Sequence, residues 1–155
     1  MKGDANIIGI LNNLLTGELT AVDQYLAHGE LYADMGLPKL AEKALHESDH
    51  ERQHARALMQ RILFLEGAPD VAKRNTLNIG STVPDMLKAD LALEYHVVGE
   101  LKKAIAAAEK AGDYVTREML VVQLDDTEMD HAHWLEKQLG LIDLMGLPNY
   151  LQSQA

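Results

Sequence analysis

Glu51-Arg52-Gln53-His54 and Glu128-Met129-Asp130-His131 decide how this chain folds. Each reads Glu-x-x-His within a helical pattern. Positions i and i+3 of a helix share a face, so each stretch aims a carboxylate and an imidazole the same way. A lone Glu precedes each: Glu18 lies 33 residues before Glu51, and Glu94 lies 34 before Glu128. The same pattern occurs twice, offset by 76 or 77 residues. Four carboxylates and two imidazoles on four helices are the ligand set of a dinuclear metal site inside a helix bundle.

The surrounding periodicity supplies those helices. Asp4 can cap a first helix running to about Asp34, with Leu11, Leu14, Leu15, Val22 and Tyr25 on one stripe and Glu18 inside it. Gly36 and Pro38 separate it from a second helix over roughly Lys39 to Glu66, carrying Glu47, Glu51 and His54 mid-stripe. Residues 67–82 form a polar connector. An extended 16-residue segment reaches roughly 50 Å, and a 28-residue helix is about 42 Å long. The connector can therefore run the length of the bundle and set helix three parallel to helix two.

Helix three opens at Thr82 with Pro84 and Asp85 and runs to about Ala111, with Glu94 at its centre. Gly112 and Asp113 stop it and cap a fourth, from Tyr114 to about Leu139. Gly140 and Gly146 bracket a short fifth segment, and Asn149 to Gln152 can form one more turn. No strand signal appears. The expectation is a single all-α domain over residues 1–155: a four-helix bundle with a long crossover and a short C-terminal helix.

One Glu or one His on an apolar stripe is usually a buried ion pair or a satisfied core histidine. Six together, with no Lys or Arg on the same stripes, are different. Four core carboxylates repel one another and resist ionisation, and two divalent cations neutralise them. If Glu51 and Glu128 bridge, Glu18 with His54 completes one metal and Glu94 with His131 the other. Oxygen-rich ligation with one imidazole per ion suits iron or manganese. About four protein ligands each leaves open positions, the mark of a reaction centre.

Glu47-x-x-His50 also matches the motif, but helical phase puts His50 roughly 90° off the middle of the stripe. His46 and His50 lie one turn apart on that flank and could hold a passing ion; a solvated polar flank is the equal alternative. His96 and His133 point away from their stripes. Tyr25 shares the stripe of Glu18, as a core residue or as a redox-active phenol.

Composition narrows the function. The chain has 24 acidic and 14 basic side chains, a net charge of -10, which argues against nucleic acid or an anionic membrane as partner and fits cation traffic. It has no cysteine, which removes disulfides, zinc–thiolate sites and iron–sulfur clusters. The N-terminus carries no apolar signal region and no apolar run approaches a membrane span, so a cytoplasmic location is the expectation.

The chain resembles bacterioferritins over its whole length. The resemblance rests on Met1-Lys2-Gly3-Asp4, Gly17-Glu18-Leu19, His46-Glu47-Ser48, Arg61-Ile62-Leu63-Phe64-Leu65-Glu66-Gly67, Leu77-Asn78-Ile79-Gly80, Asp90-Leu91-Ala92-Leu93-Glu94 and Met145-Gly146-Leu147-Pro148-Asn149-Tyr150-Leu151-Gln152. It implies a ferritin-like bundle assembled as a 24-subunit cage. It also implies a ferroxidase that oxidises Fe(II) with O₂ or peroxide at a di-iron site and stores ferric mineral. The family's ligands carry over onto Glu18, Glu51, His54, Glu94, Glu128 and His131. His46 matches a position linked to inner-surface iron, and His50 stands where an Asp is usual.

The family holds haem b through a Met one residue after the first bridging Glu. That position here is Arg52, and a guanidinium offers no lone pair to iron. The resemblance is therefore to the subunit type lacking the haem ligand, which some bacteria pair with a Met-bearing subunit. Cages of this subunit alone are expected to lack stoichiometric haem, and iron release through a ferredoxin and haem is in question with it. Competing readings are a rubrerythrin-type di-iron peroxidase, which usually adds a cysteine-bearing iron domain, a mini-ferritin, whose metals sit between subunits, and a metal-free scaffold bundle.

Overall fold

The Asp4 carboxylate accepts from the backbone N–H of Asn6 at 2.7 Å and of Ile7 at 3.2 Å, and α1 (Ala5–Asp34) starts there. A computed structural model describes all 155 residues, and every element in it is helical. α2 (Pro38–Phe64) follows Gly36, whose φ of 79° lies in the left-handed region that a side chain resists. Thr82 caps α3 (Val83–Lys110). Gly112, at φ 70°, ends it, and the Asp113 side chain caps α4 (Tyr114–Asp126). The same Asp113 receives Arg61 Nη2 at 2.8 Å, which ties the start of α4 to the end of α2.

The fourth rod does not stop at Gly140. It passes from α4 through a π-helical turn, Thr127–Ala132, into α5 (His133–Met145). The break expected at Gly140 is absent because a lone glycine inside a helix costs only about 1 kcal/mol, and Leu135 is buried against the bundle just before it. The chain turns instead at Gly146, φ 79°, into the short α6 (Leu147–Gln154). Tyr150 of α6 is fully buried and donates to Gln138 Oε1 at 2.8 Å, which docks α6 on the bundle end.

Cross-helix pairs fix the topology. Ser48 donates to the Val22 carbonyl and His54 approaches Glu18, so α1 and α2 are antiparallel. His28 meets Asp90 and Asn13 meets Glu100, so α1 and α3 are antiparallel too. α2 and α3 therefore run parallel, and the segment joining them spans the bundle as its length predicted. It lies along α1, whose side chains accept the N–H groups that a strand-free connector leaves over. Asn12 accepts from Asp70, Thr20 from Asn75, Gln24 from Asn78 and His28 from Gly80, at 2.8 to 3.1 Å.

The interior is two apolar clusters with a polar layer between them. One holds Leu11, Leu15, Leu58, Ile62, Leu101 and Leu120; the other holds Tyr25, Leu40, Met86, Leu87, Leu135 and Tyr150. Each fully buried Leu or Ile contributes about 2 kcal/mol, which offsets the cost of keeping charged groups in the layer between.

Candidate metal centre

Glu51 faces both imidazoles at once. Its Oε2 is 3.0 Å from His54 Nδ1 and its Oε1 is 2.8 Å from His131 Nδ1. Glu18 Oε1 lies 3.9 Å from His54 Nδ1, and Glu94 Oε1 lies 3.4 Å from His131 Nδ1. All five residues are at most 5% exposed. Helical phase brings them there: Glu51 and His54 are one turn apart on α2, while Glu18 and Glu94 replace core residues on α1 and α3. The donor atoms form two groups, Glu18, Glu51 and His54, and Glu51, Glu94 and His131, sharing Glu51.

Glu128 does not join them. Its Oε1 pairs with Lys102 Nζ at 3.1 Å, and its side chain is 43% exposed. The cause is the π turn. At 100° per residue, positions i and i+3 lie about 60° apart, whereas the wider π turn of roughly 4.4 residues separates them by about 115°. His131 keeps its place inside, and Glu128 is carried round to the surface. The bridging role expected for Glu128 is thus not seen.

Three residues outside the expected set close on the same cluster. Glu47, 3% exposed, places Oε2 at 2.6 Å from His131 Nε2, and Lys43 Nζ donates to its Oε1. Asp126 Oδ2 is 3.1 Å from His54 Nε2. His50, half-buried rather than on a free flank, places Nδ1 at 2.9 Å from His131 Nε2. Its other nitrogen faces Asp126 Oδ2 at 3.6 Å. Glu47 was legible, since it sits one turn before Glu51 on the buried stripe. Asp126 carried no signal except its nearness to the second motif. His46 is exposed, its ring 6.2 Å from that of His50. Tyr25 is buried and its hydroxyl donates to Glu94.

The electrostatics of the metal-free cluster are strained. Burial, then repulsion by Glu51, pushes Glu94 up to about 7, and the same two causes raise Glu18 well above the carboxylate range. Burial also acts on Glu51, but the close contacts of the His131 and His54 rings outweigh it and hold its carboxyl well below that range. Burial opposes charge on His131 and His54 as well. Contacts to Glu47, Glu51 and Glu94 overrule it for His131, and contacts to Glu51 and Asp126 for His54, so both are raised. His50 is lowered by burial and by its two histidine neighbours.

These residues fit metal ions. Both oxygens of Glu18, Oε2 of Glu94 and Nδ1 of His131 are buried without a well-directed hydrogen bond. Buried polar atoms are ordinarily partnered. Donors left over on three helices, converging around one shared carboxylate, are what a pair of cations uses. Two cavities reach the cluster from opposite sides. One, of about 290 Å³, is lined by Asn13, Gly17, Glu18, His96 and Glu100. The other, of about 390 Å³, is lined by His46, Glu47, His50, Asp130 and His133.

Residues 8–145 match the Ferritin-like domain family. The chain belongs to the ferritin family. Among curated ferritins, it is 54% identical to the "Bacterial ferritin" of Pseudomonas aeruginosa, each chain covered over 99% of its length. It is 51% identical to the "Bacterial ferritin" of Synechocystis, again over 99% of both. The "Bacterioferritin" of Mycolicibacterium paratuberculosis is 39% identical over 97% of this chain and 94% of that one. This ferritin is thus of the bacterioferritin type expected from its motifs. No helix in it is long and apolar enough to cross a membrane.

Proposed function

We propose that this ferritin stores iron and is a ferroxidase, with Fe(II) as substrate at a dinuclear site. The observation that carries the reading is Glu51, one carboxylate with each oxygen turned to a different histidine. Glu51 would be shared between the two irons, with Glu18 and His54 holding one and Glu94 and His131 the other. Iron bound there would supply one-electron chemistry: two Fe(II) give up two electrons, which with two protons reduce peroxide to water or O₂ to peroxide. The protein's part is to hold the two ions adjacent, to converge carboxylates whose charge the cations would offset, and to exclude bulk water with the clusters above and below. Tyr25 holds Glu94 in place through its hydroxyl. The two cavities give the cluster a route in and a route out.

Storage follows from assembly. The resemblance to cage-forming bacterioferritins supports a 24-subunit shell, built of this chain alone or mixed with a Met-bearing subunit and served by a ferredoxin. Phe64, Tyr114, Val115 and Leu144 are 49% to 84% exposed on the single chain and suit subunit contacts. The acidic composition and the lack of a membrane-spanning helix fit a cytoplasmic store. Anaerobic Fe(II) titration followed by air tests the function. A fast phase of oxidation should saturate at about two irons per chain, with O₂ or added peroxide consumed. Oxidation no faster than in buffer would refute it.

A further inference from the structure

Both ligand imidazoles are turned the same way. Nδ1 of each faces the inner carboxylates, and Nε2 of each faces an outer one: Asp126 Oδ2 at 3.1 Å for His54, Glu47 Oε2 at 2.6 Å for His131. We propose that Asp126 and Glu47 are positioning residues, each holding one metal-ligating imidazole, with His50 packed between the two carboxylates in one outer tier.

This rests on the dinuclear reading above. An imidazole that binds a metal through Nδ1 carries its proton on Nε2, and that N–H needs an acceptor. A carboxylate there fixes the tautomer and ring plane and makes the ligating nitrogen more basic. His50 lies between the two, its ring centroid 4.8 Å from that of His54 and 4.9 Å from that of His131. Its Nε2 is 3.6 Å from Asp126 and its Nδ1 is 3.8 Å from Glu47, ion-pair rather than hydrogen-bond distances, and the same Nδ1 lies 2.9 Å from His131 Nε2, where it is a second acceptor beside Glu47. The arrangement joins the two halves of the site from outside, as Glu51 joins them from inside.

The π turn explains how Asp126 gets there. In an α-helix a residue five before His131 is about 140° away from it; with the turn widened to roughly 4.4 residues the difference falls to about 50°. The turn that removes Glu128 from the interior thus brings Asp126 alongside. The same atoms could be read as ligands of a third ion. Two such groups are present, Glu47 with His50 and His131, and His50 with His54 and Asp126; at the first, the Lys43 ammonium already sits on Glu47 and lies 5.3 Å from the Trp134 ring centroid, and for both the metal count below decides.

Co(II) titration of the assembled protein tests the proposal, read by calorimetry and by the visible spectrum of the bound ion. The unmodified chain should bind two Co(II). Asp126→Ala should keep two but weaken one about 10- to 100-fold and change its spectrum, Asp126→Glu should recover most of the loss, and Glu47→Gln should weaken the other. Circular dichroism and particle mass establish that each variant is folded, and the two independent arms, at Asp126 and at Glu47, keep the test open if one fails to fold. Unchanged affinities in both arms would overturn the proposal. So would three Co(II) in the unmodified chain falling to two in the variants, because the tier would then be a ligand set. No Co(II) bound by the unmodified chain would overturn the dinuclear reading itself, and the tier with it.

Discussion

Glu128 and Lys102 form an ion pair at 3.1 Å on the outer side of the bundle, although Glu128 stands only three residues before the buried His131. The pair is partly exposed and worth at most about 1 kcal/mol. Glu128→Gln should leave fast Fe(II) oxidation within about twofold of the original. Glu51→Ala and His54→Ala should abolish that phase while circular dichroism stays helical, since each removes a donor from the shared cluster. Stopped-flow absorbance on the three variants decides it. A Glu128 variant as inactive as the Glu51 variant would return Glu128 to the ligand set.

The one-residue mismatch between the halves was the sign of this. Glu94 lies 76 residues after Glu18, but Glu51 and His54 are each followed by their counterparts at 77. An extra residue in one of two matching helices must be absorbed, and a π turn absorbs one. Periodicity predicts that Glu18, Glu51, His54, Glu94 and His131 converge, and the structure brings these five side chains together; the first four lie in regular α-helix and His131 inside the π turn. It failed at Glu128 because the pitch changes there, and no local propensity marks a π turn. It passed over Glu47 by treating Glu47 and His50 as a competing motif rather than as neighbours of the same cluster. The crossover was legible from length alone. Its docking on α1 through Asn12, Thr20, Gln24 and His28 was not, since hydrogen bonds from connector to helix follow no sequence period.

Zinc should inhibit. It ranks above Fe(II) in affinity for sites of nitrogen and oxygen donors and has no redox chemistry. Held by Glu18, Glu51, Glu94 and the two histidines, as proposed for iron, it would exclude the substrate. Oxidation measured after preloading with about two Zn(II) per chain should fall at least tenfold, and chelation should restore it. A normal rate in zinc-loaded protein would place the reaction elsewhere.

Stability of the metal-free protein should decline as pH rises. Glu94 has a folded pKa of about 7 against 4.5 unfolded. A carboxyl raised in this way stabilises the fold fully below the unfolded value and loses that contribution as pH rises through the folded one. The loss is on the order of 3 kcal/mol for Glu94, and Glu18 adds to it in the same direction. His54 and His131, raised from 6.5, lose stabilisation above that pH as well. Glu47 and Glu51, lowered from 4.5, act only below it. His50, lowered from 6.5, acts in the opposite direction below that value; Glu18, Glu94, His54 and His131, all more deeply buried, outweigh it and set the sign above pH 4.5. In chelator, Tm should drop by several degrees between about pH 5 and 8. With metal the trend should flatten or reverse, because ligands must be deprotonated to bind. A metal-free Tm that rises over that range would contradict the charge arrangement.

Cages of this chain alone should carry no stoichiometric haem. Arg52 stands where the resembling family has its axial Met, and its side chain is 65% exposed with Nη1 3.6 Å from Asp49 Oδ1. It lies on α2 beside Glu51 but on the opposite side of the helix from the buried cluster, as its phase requires. At a two-fold contact each partner would bring one such guanidinium. Two cations would then face one another across the pocket, and neither has a lone pair for iron. The pairing with Asp49 is exposed and adds little, so Arg52→Met removes no support from the fold. That variant supplies a thioether to each side and should take up haem where the unmodified chain does not, read as a sharp Soret band after incubation and gel filtration. A Soret band near one haem per two chains in the unmodified homopolymer would show that another residue serves as the ligand.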